Sequence, residues 1–170
     1  EKKGILQIAG CVTSQKTHMM YAMSDGFRNK IIAVSSETKA KQIYEEYKFL
    51  SQNVYLYPAK DLLFYQADLR GKYLIKQRME VFQALMEQQD TVVVTTFDGF
   101  MDALPPLEVM KERIITVKTG DVVDFEKLKE QMVLLGYDRE EQIDGPGQFA
   151  VRGGIMDVYP LTEEVPIRIE

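Results

Sequence analysis

Apolar residues in this chain fall into short unbroken runs, separated by longer stretches in which they recur every three or four positions. That alternation of period predicts strands alternating with helices. Residues 4–10 (Gly4-Ile5-Leu6-Gln7-Ile8-Ala9-Gly10) predict a buried strand ending on a glycine. Residues 16–28 predict a helix with Met20, Met23 and Phe27 on one face. Ile31-Ile32-Ala33-Val34 predicts a second strand compatible with burial on both sides. Ser36 is placed to cap the next helix, with Glu37 near its positive end and Ala40, Ile43, Tyr44, Tyr47 and Leu50 at helical spacing. Val54-Tyr55-Leu56-Tyr57 predicts a third strand closed by Pro58. A helix with Ile75, Met79, Phe82, Leu85 and Met86 on one stripe follows, and then a fourth strand, Thr91-Val92-Val93-Val94-Thr95-Thr96. Four strands alternating with helices are the signature of an α/β fold with an open parallel sheet and right-handed crossovers.

The rhythm breaks at Leu104-Pro105-Pro106-Leu107, a rigid double proline read here as a domain boundary, giving units 1–106 and 107–170. The second unit predicts a strand at residues 113–117 and a helix capped by Asp124 and ended by Gly136, with Phe125, Leu128, Met132 and Leu135 as its buried stripe. A hairpin then turns at Gly153-Gly154. With those two residues as the loop, Arg152 faces Ile155, Val151 faces Met156, Ala150 faces Asp157 and Phe149 faces Val158. Strand alternation puts Phe149, Val151, Met156 and Val158 on one apolar face, and Ala150, Arg152, Ile155, Asp157 and Tyr159 on the other. The second unit is therefore expected to be a smaller α+β domain with an antiparallel sheet. The start at Glu1-Lys2-Lys3 and the stop inside an apparent strand, Val165 to Glu170, suggest a piece of a longer protein.

Composition narrows the function. At 45% hydrophobic residues the 170-residue chain can bury a core, while a net charge of -5 gives no basic footprint for a phosphate backbone. One cysteine, Cys11, excludes an internal disulfide, and one histidine, His18, leaves no paired-imidazole metal site. Cys11 reads as a small buried hydrophobe and His18 as a helix-surface residue. Tyr44, Tyr47, Tyr55 and Tyr57 read as packing residues rather than base-stacking platforms, and Lys39 and Lys41 as a solvated helix face. No apolar run approaches the roughly 20 residues that span a bilayer, so no membrane contact is expected and the cytoplasm is the simplest location.

Gly10-Cys11-Val12-Thr13-Ser14-Gln15-Lys16-Thr17 has the position and length of a phosphate-binding P-loop, G-x-x-x-x-G-K-[ST]. Such a loop needs glycines so that backbone amides can wrap a phosphate. Gln15 stands at the second glycine, while Lys16 and Thr17 keep a charge and a hydroxyl that could bind Mg²⁺. An acidic partner after a hydrophobic strand is also missing; Val122-Val123-Asp124 comes nearest and serves better as a helix cap. The first unit thus reads as a P-loop-NTPase-like parallel-sheet lobe with a degenerate loop and no cofactor.

The hairpin Phe149-Ala150-Val151-Arg152-Gly153-Gly154-Ile155-Met156-Asp157-Val158-Tyr159-Pro160 resembles the second-domain hairpin of the excision-repair helicase UvrB. It is equally similar to the UvrB-like N-terminal module of bacterial transcription-repair coupling factors. In both, that domain docks onto UvrA. The resemblance covers essentially all 170 residues: residues 1–106 resemble UvrB domain 1a, and 107–170 resemble a truncated domain 2. Gln15 points to the coupling-factor branch, whose nucleotide site has decayed, and so does the run Phe64 to Tyr73, which leaves little room for UvrB's damage-clamping hairpin. Tyr57-Pro58-Ala59-Lys60-Asp61 also resembles the coupling factors at the exit of the third strand.

The resemblance implies a non-catalytic module that recruits UvrA, with RNA polymerase and DNA engaged by other domains of the longer protein. By this resemblance Arg139 and Arg152 match docking arginines, Ala150 stands where UvrB has a third, and Asp157 lies beside them. The plainer reading is that both arginines are solvated and pair with Asp138 or Asp157. The alternative function is a fragment of a UvrB-type ATP-dependent helicase with residual nucleotide binding.

Overall fold

A computed structural model describes residues 4–60, 69–87, 90–104, 106–111 and 114–170. Helix α1 (Thr13–Met23) leads to β1 (Asn29–Val34), α2 (Glu37–Lys48), β2 (Val54–Tyr57), α3 (Leu69–Met86) and β3 (Thr91–Thr96). Two short helices follow, α4 (Phe97–Phe100) and α5 (Leu107–Lys111), and then α6 (Phe125–Leu134). The chain ends in β4 (Asp138–Arg139), β5 (Gln148–Arg152), β6 (Ile155–Tyr159) and β7 (Ile167–Ile169).

The fold is mixed α/β with two separate sheets. The first has three parallel strands in the order β1-β3-β2. β3 is central, and all six of its residues are buried, as an uninterrupted β-branched run requires when both faces are covered. On one side Val92 and Val94 meet Ala40, Tyr47 and Val54; on the other Val93 packs with Tyr57, Val81 and Phe82. Ser36 caps α2, accepting from the Lys39 amide at 3.4 Å, with Glu37 in the first turn as expected.

Several sequence expectations are corrected here. Residues 4–10 form no strand; Ile5, Leu6 and Ile8 are exposed, so three strands rather than four are seen among the described residues. α1 starts at Thr13 and ends at Met23, leaving Met23 and Phe27 exposed while Met20 packs inward. β1 is an edge strand of this sheet, so Ile31 is exposed instead of buried on both sides. On α3 the buried face runs through Gln77, Val81, Phe82 and Ala84, whereas Ile75 and Met79 are exposed. Phe82, Leu85 and Met86 of the expected stripe do pack into the core around Val93. Of the run from Phe64 to Tyr73, residues 64–68 lie outside the described residues and the rest open α3; Pro105 of the double proline also lies outside them.

The second sheet has the order β4-β5-β6-β7. β5, β6 and β7 are antiparallel, but β4 joins β5 in parallel, so the sheet is mixed. Its core gathers Leu128 and Met132 of α6 with Phe149, Met156 and Val158. Asp124 caps α6 by accepting from the amides of Glu126 and Lys127, and Gly136 follows it at φ 84°. Residues 114–117 form no strand; Ile115 alone of that run turns into the second core, and Ile114 and Val117 are exposed. Among the described residues, no helix is long and apolar enough to cross a membrane.

Candidate functional site

The hairpin has the register its turn dictates: Arg152 opposite Ile155, Val151 opposite Met156, Ala150 opposite Asp157 and Phe149 opposite Val158. Gly153 takes φ 58°, the left-handed conformation that a two-residue hairpin turn demands and a side chain resists. Phe149, Met156 and Val158 are buried beneath α6, with Val151 packed against them. The other face of the sheet is therefore turned away from that core.

On this outer face Asp157 is the hub. Strand β7 sets Arg168 directly opposite it, and the Arg168 Nε and Nη2 donate to its two carboxylate oxygens at 2.7 and 2.9 Å. Arg152 approaches the same carboxylate only to 4.0 Å, and its side chain is 64% exposed. Asp157 itself is 13% exposed. The hydrogen bonds from Arg168, above all, hold the Asp157 carboxyl below its ordinary range; partial desolvation opposes this, and the charges of Arg168 and then Arg152 add to the lowering. Glu170 acts on Arg168 as well, so the charge of Arg168 is matched by carboxylates and Arg152 is an exposed cation of this face.

The four partner-contact residues read from the sequence do not form one cluster. Arg152 and Asp157 lie together. Ala150 shares their face by register but is 2% exposed, so its methyl presents almost nothing to a partner. Arg139 pairs with Phe149 in the parallel ladder and lines a groove of about 520 Å³ with Lys129, Val133 and Leu134 of α6, on the opposite side of the sheet from Arg152. Sequence reasoning missed Arg168. The available signal was the Ile-Arg-Ile alternation at 167–169, which marks Arg168 as facing away from its neighbours, but its partner depends on the β6–β7 register.

The P-loop-like stretch is differently built. The helix already runs at Thr13, so Gln15, Lys16 and Thr17 lie on helical backbone. Gln15 Oε1 accepts from the Val12 amide at 3.3 Å, a helix-capping contact. Thr17 is 1% exposed and its hydroxyl donates to Glu46 of α2 at 2.5 Å. That bond, followed by one from Gln42, holds the Glu46 carboxyl below its ordinary range. Lys16 is exposed and has Gly10 and Cys11 as neighbours on the wall of a cavity of about 760 Å³, whose other walls are mainly apolar: Met19, Met20, Met23, Ile31 and Ile43 among them. Gly10 has φ 84° and open space around it. Among the described residues no group of His, Cys, Asp or Glu side chains could hold a metal ion.

Residues 115–170 match the model of a family described as the UvrB interaction domain. Over 166 residues, 96% of the chain, it is 29% identical to a transcription-repair-coupling factor of Bacillus subtilis strain 168. The chain is related to the transcription-repair-coupling factors, and its residues 115–170 carry the interaction-domain match. A coupling factor of Staphylococcus haemolyticus is 32% identical over 117 residues, and that of Staphylococcus aureus strain USA300 is 29% identical over 120. The chain spans 14% of the length of the Bacillus coupling factor and 10% of the Staphylococcus haemolyticus one. The family match includes all of β4 to β7, so Arg139, Asp157, Arg152 and Arg168 all lie inside the interaction domain.

Proposed function

We propose that this segment is a non-catalytic docking module that recruits UvrA, within a transcription-repair-coupling factor acting in transcription-coupled nucleotide excision repair. The observation that carries the reading is the exposed guanidinium of Arg152 on the open face of an interaction-domain sheet. RNA polymerase and DNA are engaged by other parts of the longer protein, and the setting is cytoplasmic. The contact is expected to use Arg152, with Arg139 contributing from the far side of β4 only if the partner wraps that edge.

The decisive measurement is capture of purified UvrA. Arg152→Ala should weaken it by about thirtyfold, near 2 kcal/mol, the lower end of what truncating a charged interface contact costs, since Arg152 starts half-solvated. Equal affinity of both proteins would remove Arg152 from the interface.

The first unit reads as a P-loop-like lobe whose phosphate loop has become a capped helix start. Helical backbone at Thr13 to Thr17 and the engagement of the Thr17 hydroxyl by Glu46 support that reading. A phosphate loop needs its amides and its hydroxyl free for the ligand; here the Lys16 amide is bonded to the Val12 carbonyl at 3.2 Å, the Val12 amide to the Gln15 side chain and the Thr17 hydroxyl to Glu46. Titrating ATP and Mg²⁺ should therefore leave the melting temperature unchanged, because only a ligand that binds the folded state raises it. A clear upward shift would favour the alternative, a UvrB-type helicase fragment with residual nucleotide binding.

A further inference from the structure

The two arginines beside Asp157 are unequal partners. Arg168 stands opposite it in the β6–β7 ladder and takes both carboxylate oxygens side-on, the two-bond geometry in which a guanidinium saturates a carboxylate. Arg152 stands opposite Ile155, reaches Asp157 from the diagonal, and stops at 4.0 Å. Its N–H donors are thus left for solvent or for a partner.

We propose that Arg168 is a positioning residue: by occupying Asp157 it prevents that carboxylate from capturing Arg152, and so keeps Arg152 free to receive an acidic side chain of UvrA. This rests on the docking reading of Arg152 given above. The occupant is acidic because Arg152 presents an exposed guanidinium whose nearest carboxylate, Asp157, is taken up by Arg168. With Arg168 removed, a largely covered carboxylate is left without its partner, a costly state. The nearest cation able to relieve it is Arg152, and the partner must then break an internal ion pair before it can bind.

The competition predicts a sign that a direct contact does not. Affinity for UvrA is measured for the unmodified chain, Arg168→Gln, Asp157→Asn and the double variant. Arg168→Gln should weaken binding about three- to fivefold, the size of an exposed ion pair. Asp157→Asn should bind at least as tightly as the unmodified chain, and the double variant should return to its level, because no carboxylate remains to capture Arg152. Unchanged binding by Arg168→Gln overturns the proposal. So does a double variant as weak as Arg168→Gln, which would make Arg168 a contact in its own right. If Arg152→Ala binds as well as the unmodified chain, the docking reading itself falls and takes this proposal with it. An independent check needs no variant to fold: the Arg168 Nε–H proton should exchange with water more slowly than that of Arg152, and equal rates would count against the hierarchy.

Discussion

Phe149→Ala is expected to destabilise the second unit by about 3–5 kcal/mol, the cost of deleting a large buried aromatic ring. Phe149 has 0% exposure and packs with Leu128, Met132, Met156 and Val158, so its truncation removes contacts from every side of the second core. A domain of this size has only a few kcal/mol in reserve, and the loss should leave the β5–β6 sheet largely unfolded. The first sheet should survive. Its buried residues, Val92, Val93 and Val94 among them, share no member with the second core. Amide exchange makes the distinction directly: protection should vanish across residues 148–159 and persist across 91–96. Equal loss in both would mean that the two sheets unfold as one cooperative unit.

That experiment also bears on where the chain divides. Met110, four residues beyond Pro106, packs against Tyr57 and Val93 of the first sheet and Val81 and Phe82 of α3, whereas Ile115 packs against the second core. We propose the division between Met110 and Ile115 rather than at the double proline. Proline stiffens the backbone locally, but a unit ends where its contacts end.

The second large effect is expected at Arg78→Ala, at about 3 kcal/mol. Arg78 Nη1 donates to the Pro58 carbonyl at 2.9 Å and to Asp102 at 2.7 Å, and its guanidinium lies 4.3 Å from the centroid of the Tyr57 ring. The two charged side chains are 11% and 20% exposed. One group therefore ties α3 to the exit of β2 and to the segment after α4. Its removal leaves Asp102 largely covered, with the Lys60 amide at 3.3 Å as its remaining donor among the described residues. Breaking a covered pair from one side costs far more than the pair contributes, because the surviving charge is stranded. The urea midpoint should fall accordingly. Arg78→Lys should recover only part of the loss, since an ammonium cannot both fork and stack. Adding Asp102→Asn to Arg78→Ala should also recover part, and no recovery would show that the Pro58 and Tyr57 contacts matter more than the charge.

Local chemistry made much of this legible in advance. Ser36 and Asp124 cap because their side chains reach amides two or three residues on, which no distant contact alters. The Gly153-Gly154 turn fixed the β5–β6 pairing residue by residue for the same reason. Phe149, Met156 and Val158 follow from strand alternation once that register is known. The isoleucines of residues 4–10 read as a strand by hydrophobicity, but a strand needs a neighbour to bond to, and sequence carries no information on whether one is present. Gln15 was visible as the wrong residue for a phosphate loop; its capping contact and the capture of the Thr17 hydroxyl by Glu46 were not.

The sequence by itself determined the two sheets' principal strands, two helix caps, the hairpin register and the resemblance to an interaction domain, all of which depend on neighbours within a few positions. Only the tertiary structure decided that Arg139 and Arg152 lie on opposite sides of the sheet, that Ala150 is covered, and that Asp157 belongs to Arg168. Those outcomes turn on how β4 and β7 pair with the hairpin, and pairing between distant strands is set by the free energy of the whole sheet rather than by any local preference.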